Sequence, residues 1–185
     1  MTNSLAPVAS AQQLRVMAMK QDDLPGVLAV QQAAYAQHLL ERKETFLNRL
    51  QVAPAHCWIA TSAELPVAGY LVSHPWNAPL PPALDCALTM DCVLPGGTGT
   101  TLWYLHDCAV HPRARGQAVA RTLLAHAQAR ARAAGLTESR LVALADAVPF
   151  WQKLGFVQVM PAPAGLAEKL RDYGAGACYL QKRLT

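Results

Sequence analysis

The sequence is poor in charge: Asp, Glu, Lys and Arg make up 15% of its 185 residues, against 52% hydrophobic residues. That balance excludes a disordered chain and leaves a compact globular protein with enough sequence to bury a sizeable core. Aromatic residues are scarce, at 6%, and the net charge is only +4. With few stacking residues and no recognition motif, the basic surplus does not read as a nucleic-acid surface. The five cysteines, Cys57, Cys86, Cys92, Cys108 and Cys178, are odd in number and none has CxxC spacing, so free thiols of a reducing cytoplasm are expected. No apolar run reaches the roughly 18 to 20 residues of a membrane span. The opening MTNSLAPVASAQQ lacks the basic and apolar regions of a secretory signal. With neither a repeat nor a linker, residues 1–185 read as one soluble, cytoplasmic domain, with 1–12 a flexible N-terminus.

Hydrophobic patterning then orders the chain. LRVMAM, from Leu14, alternates as a first strand, and Asp22, Asp23 and Pro25 open a helix that runs toward Glu41. ETFLNRLQ predicts a second helix; HCWIATS and VAGYLVSH predict a hairpin. Residues 75 to 100, rich in proline and glycine, read as a loop with a short strand near Cys86 to Met90. TLWYLHDCAV is the clearest strand, and Val119 to Ala134 the clearest helix, stopped by Gly135. SRLVALA, VPFWQKLG, FVQVM, GLAEKLRDYG and ACYLQKRL complete an alternation of strands and helices. The order is that of an α/β domain with a mixed sheet.

Much of the positive charge lies between Arg113 and Arg132, beginning in the turn RARGQA. A helix starts with four N–H groups that lack partners, at the positive end of its dipole. A small residue in the turn before it lets an anion approach those groups. Gly116 and Ala118 leave room, Arg113 and Arg115 supply charge, and the N–H groups from Gly116 through Gln117, Ala118 and Val119 to Ala120 would converge on the ligand. The turn is neither a GK[ST] phosphate loop nor a GxGxxG dinucleotide turn.

With those residues in view, Arg113-x-x-Gly116-x-Ala118 after a strand ending AVHP resembles the [Q/R]-x-x-G-x-[G/A] acetyl-coenzyme A signature of the GNAT N-acetyltransferase superfamily. AVPFWQKLGF, about 30 residues further on, resembles that superfamily's second motif, A-x-x-[FY]-[YFW]-x-x-x-G-F. The likeness runs from Leu14 to the final strand, and GYLVSHPW, YLHDCAVHP and YGAGACYL are similar to small bacterial members whose acceptors are mostly unassigned. It implies the GNAT fold: a central mixed, mostly antiparallel β-sheet flanked by helices and splayed where acetyl-coenzyme A binds. The basic turn would hold the pyrophosphate. The backbone from Cys108 through Ala109 to Val110 would pair with pantetheine, one N–H polarising the thioester carbonyl. Phe150, Trp151 and Lys153 would lie near the thiol and phosphate end.

One position departs from the family. Many members place a tyrosine where Trp151 stands, to protonate the departing thiolate; an indole cannot titrate as that acid. Tyr173 and Tyr104 are the replacements the sequence offers. For the base, alternation along WYLHDCAV puts Tyr104, His106 and Cys108 on one face and Trp103, Leu105 and Asp107 on the other. A bulge, common in this strand of the family, would disturb that parity. Tyr104 stands where some members carry a catalytic glutamate, and His106 is a candidate because histidine as a residue type exchanges protons near neutrality. Asp107 could attract a cationic amine, and His74 and Trp76 are expected at the acceptor mouth. Histidine and cysteine spacing predicts no metal.

The resulting expectation is an acetyl-coenzyme A-dependent N-acetyltransferase whose amine acceptor, on a small molecule, peptide or protein, attacks directly. The competing expectation is a non-catalytic acyl-coenzyme A sensor that keeps the cradle and has lost the chemistry. Many relatives are homodimers, but no interface is legible here; nucleic acid and membrane are not expected partners.

Overall fold

The computed structural model describes residues 14–93 and 102–184. The N-terminus expected to be flexible and the glycine-rich end of the long loop lie outside the described residues. A seven-stranded sheet has the order β1-β2-β3-β4-β5-β7-β6. Its strands are β1 (Arg15–Ala18), β2 (Cys57–Thr61), β3 (Gly69–Trp76), β4 (Leu102–Val110), β5 (Glu138–Ala143), β6 (Val157–Gln158) and β7 (Cys178–Arg183). Every pairing is antiparallel except β4 with β5. The helices are α1 (Leu24–Ala34), α2 (Lys43–Val52), α3 (Met90–Val93), α4 (Val119–Ala133), α5 (Val148–Lys153) and α6 (Leu166–Arg171).

Proline sets two of the helix starts, at the first turns of α1 and α5, where its missing N–H is no loss. The expected strand near Cys86 to Met90 does not form. That stretch ends in the short helix α3 and lends carbonyls and N–H groups to α2, Asn48 bonding both ways to Leu88. A segment whose backbone is taken up by side chains need not join a sheet.

Helix α4 covers one face of the sheet through Val119, Leu123, Leu124, Ala127 and Ala131, which pack with Trp58, Leu71, Trp103 and Leu105. Ala134, the last residue of the expected helix, is exposed because the helix has ended by that residue. Helices α1 and α2 cover the opposite face, where Val27, Val30 and Phe46 meet Tyr70 and Val72. Phe46 and Tyr70 stack edge to face, 5.8 Å between centroids, a geometry that adds about 0.5–1.5 kcal/mol to burial alone. Gly69 is where β3 passes closest to α4: a Cβ there would fall 2.8 Å from both the Ala109 carbonyl and Val119 Cγ1.

Two irregularities make the site. First, among the described residues β4 and β5 are paired only at Trp103 with Ser139 and Tyr104 with Arg140. Beyond Tyr104 the strands part. Second, β4 carries a bulge: Val72 faces Asp107 but Ser73 faces Leu105, which leaves His106 without a partner in the register.

Candidate active site

The parting of β4 from β5 opens a cleft of about 390 Å³. Residues 105 to 110 form one wall; Leu141, Val142 and Leu144 form the other, with Trp151 of α5. The Cys108 and Val110 backbone faces this gap. His111 N–H donates to Ala68 O across the β3 side at 2.9 Å, and successive strand amides alternate in direction, so those of Val110 and Cys108 point away from β3. The Cys108 carbonyl obeys the same parity, lying 3.1 Å from the Tyr35 hydroxyl. The gap therefore presents a strand edge with donors and acceptors to spare, shaped for an extended ligand.

At its outer end the cleft meets the basic turn. Val110 and Arg115 line both the cleft and a second cavity of about 450 Å³, which is bounded by Gly116, Ala118, Val119, Ala120 and Phe150. Gly116 has φ +80°, and a Cβ there would meet nothing within 4 Å. Ala118 takes the left-handed conformation at the head of α4, φ 60°. This geometry is uncommon for a residue with a Cβ, and it turns the first amides of α4 outward together. Thr122 N–H is bonded back to Ala118 O at 3.0 Å, so the amides of Val119, Ala120 and Arg121 precede the helical ladder and need an external partner. The cradle therefore fits an anion. Of the basic residues named for it, Arg115 lines the cavity. Arg113 and Lys153 are exposed and line neither cavity, while Gln117 turns back to donate to Arg113 O at 3.3 Å. Trp151 is a wall: it packs edge to face on Phe150 and Phe156, at 5.1 and 5.4 Å.

At the inner end the cleft runs into a small cavity of about 60 Å³ that shares Tyr35, Leu39, His106, Asp107, Val142 and Leu144 with it. The bulge decides what this cavity contains. Cys108 packs with Trp103 and Leu105 toward α4, whereas His106 and Asp107 both bond to groups of the α1 side. Strict alternation placed Cys108 beside Tyr104 and His106; the extra residue at His106 reverses its side, a correction to that expectation.

His106 is held by a residue the sequence reading passed over. Its Nε2 lies 2.7 Å from Glu41 Oε2, and the two side chains are only 2% and 5% exposed. Glu41 Oε1 accepts the Asp85 N–H at 2.7 Å, and the Glu41 N–H donates to Gln31 Oε1 at 3.0 Å. Burial works against ionisation of Glu41, but His106, the Asp85 N–H and the nearby Arg49 together hold its carboxyl below the usual range. A carboxylate facing Nε2 favours the tautomer with the proton on Nε2. The lone pair is then on Nδ1, which is buried and has no hydrogen-bond partner.

Asp107, next in the chain, accepts hydrogen bonds from Tyr35 at 2.7 Å and Tyr70 at 2.5 Å. Burial raises its pKa to about 6, with the neighbouring Glu41 adding to the rise and the two tyrosines opposing it. Tyr173 contributes to the small cavity and shares a hydrogen bond with Tyr104; burial pushes both phenols above their ordinary value. Tyr104 itself lines neither cavity and is 1% exposed, packed on His74 and Trp76. His74 and Trp76, expected at the acceptor mouth, are core residues at 0% and 7% exposure. Burial first, and then the charge of His106, drives the His74 pKa well below normal, and its Nδ1 lies 2.8 Å from Pro75 O.

Glu41 and Tyr35 gave no local signal, because they sit 65 and 72 positions from their partners. Among the described residues no group of three or more His, Cys, Asp or Glu could hold a metal ion, and no helix is long and apolar enough to cross a membrane.

Comparison with known proteins places the arrangement. No curated protein sequence matches the chain. Solved structures do. Ard1 from Thermoplasma volcanium is 16% identical with a TM-score of 0.67, covering 93% of this chain and 98% of its own. The PaiA N-acetyltransferase from Thermoplasma acidophilum, in complex with coenzyme A, is 14% identical with a TM-score of 0.64, over 92% and 99%. The GNAT-like decarboxylase GphF, in complex with isobutyryl-CoA, is 17% identical with a TM-score of 0.68, over 92% and 100%. At these identities the likeness is one of fold. The sequence profile of the acetyltransferase (GNAT) family matches residues 22–156, most of the chain and all of the cleft-forming elements from α1 to α5, and the chain belongs to that family.

Proposed function

We propose that the protein transfers an acetyl group from acetyl-coenzyme A to a primary amine by direct attack. The observation that carries this reading is His106, buried against Glu41 at the junction of the cleft and the small cavity, with an unpartnered Nδ1. A coenzyme A-binding cradle alone would serve a sensor equally well. A buried imidazole oriented by a carboxylate has no purpose in a sensor, because burying the pair costs desolvation free energy.

The pyrophosphate takes the α4 amides and Arg115, and pantetheine completes the open edge at Cys108 and Val110. The acceptor's ammonium gives a proton to His106 Nδ1, and the resulting imidazolium is stabilised by Glu41. The amine nitrogen then bonds to the acetyl carbonyl carbon, whose developing oxyanion is met by a backbone N–H of β4. The carbon–sulfur bond breaks; the Tyr173 hydroxyl, with Tyr104 behind it, protonates the departing thiolate and takes back the second proton of the acylated nitrogen, leaving a neutral amide and a free thiol, and His106 returns its proton to solvent. Cys108 is not the nucleophile: burial raises its thiol to about 12, and Asp107 adds to the rise, the opposite of an activated thiol. Nor does the site suit an acyl group bearing its own carboxylate, since Glu41 and Asp107 both line the small cavity.

The test is thiol release from acetyl-coenzyme A across a panel of amines, with coenzyme A binding followed by calorimetry. Wild type should bind and turn over, and His106→Ala should bind equally and lose turnover by about 10²-fold or more. Binding without release on every amine would favour the sensor, and no binding would remove the cradle.

A further inference from the structure

The small cavity restricts the acceptor, and this inference rests on the acetyltransferase reading above. We infer that the acceptor is a compact primary ammonium with a short, uncharged substituent, received between Asp107 and Tyr173. Three observations converge on that class.

The first is size. One water already needs roughly 10–15 Å³ of such space, so about 60 Å³ admits only roughly four to six non-hydrogen atoms. The second is charge. Glu41 and Asp107 both contribute to the cavity. Glu41 is compensated by His106 and by Arg49, but the two groups bonded to Asp107 are neutral phenols, Tyr35 and Tyr70. Asp107 is thus a buried carboxylate with no cationic hydrogen-bond partner, next in the chain to the imidazole that must take the acceptor's proton. An ammonium supplies the missing charge; an acceptor with a carboxylate beside its amine brings a third anion into the same space and is disfavoured. The third is the remaining wall. Leu39, Leu84, Val142 and Leu144 are aliphatic and offer nothing to a second polar group on the substituent, which would lose its water without replacement.

Size and charge can be separated in one series with the full chain and acetyl-coenzyme A: ethylamine, propylamine, benzylamine, spermidine, glycinamide and glycine. Glycine and glycinamide are nearly isosteric and differ in the carboxylate. Expected are the highest kcat/KM for ethylamine and propylamine, and glycine at least about tenfold below glycinamide. The Asp107→Asn variant should narrow the glycine-to-glycinamide ratio, and Leu84→Ala should move the optimum toward benzylamine. Because these readouts are ratios within one variant, a loss of folded protein does not imitate them. Glycine matching glycinamide, or benzylamine or spermidine exceeding propylamine in wild type, would overturn the inference while leaving the acetyltransferase standing. Silence toward every amine, with coenzyme A still bound, would remove both.

Discussion

Replacing Glu41 by Gln is the substitution that most sharply tests the site, because the carboxylate accepts from two donors at once. Asp85 N–H and His106 Nε2 each lie 2.7 Å from a different oxygen, and an amide has only one acceptor oxygen. If that oxygen turns to His106, the amide NH2 confronts the Asp85 N–H and one buried donor goes unpaired, at about 1–3 kcal/mol. If it turns to Asp85, the NH2 donates to Nε2, which drives the ring proton to Nδ1 and removes the base. In both rotamers the anion that stabilises the imidazolium is gone. At a charge separation near 4 Å and an effective dielectric of about 20, that is worth up to about 4 kcal/mol. A loss of about 2–4 kcal/mol corresponds to a fall in kcat of roughly 30- to 1,000-fold. Steady-state thiol release from pH 6 to 10 is the assay, with coenzyme A affinity measured in parallel. Affinity should hold, and kcat should fall by that amount across the range. A kcat within about threefold of wild type would refute the dyad.

Gly116→Asp should weaken coenzyme A binding by about tenfold or more in calorimetry through repulsion of the pyrophosphate. Its fold should survive, because the new side chain meets no neighbour and the left-handed backbone costs only about 1–2 kcal/mol. Gly69→Ala should lower thermal stability by about 1–3 kcal/mol, because its Cβ would sit 2.8 Å from the Ala109 carbonyl. Iodoacetamide at pH 8 should spare Cys57, which is buried, and Cys108, a partly exposed residue whose thiol, like that of Cys57, burial pushes up to about 12, while labelling Cys86, Cys92 or Cys178; mass spectrometry of the labelled peptides decides. Asp107 binds its proton more tightly folded than unfolded, so stability should decline as pH rises from about 4 to about 6. Glu41 acts with the opposite sign. In chemical denaturation, Asp107→Asn should therefore lose that decline and leave the rise contributed by Glu41.

The cradle was legible because its parts are contiguous. Gly116 and Ala118 stand at the head of a helix whose periodicity is plain, and a turn's chemistry is written in its own residues. The proposed base was half legible. His106 lies in an obvious strand, but the bulge that turns Asp107 to its side depends on the register with Val72 and Ser73, which no local pattern encodes. Glu41 was beyond reach for the same reason: only the folding of α1 and α2 over β4 brings it to the imidazole. His74 failed differently. Its place before a proline-rich loop read as exposure, yet the strand extends through Trp76 and carries the ring into the core.

The separation of β4 from β5 also has a mechanical meaning. Among the described residues two register pairs, at Trp103 and Tyr104, are all that stitch the four strands on one side to the three on the other. The sheet is a seam left partly unsewn, and a ligand bonded along Cys108 and Val110 would close it. Hydrogen exchange at those two amides should then act as an occupancy gauge, fast in the free protein and slowed when the seam is closed. Slowing that spread outward into β5 and β7 would show that the cosubstrate sets the stiffness of the whole sheet as well as filling a slot within it.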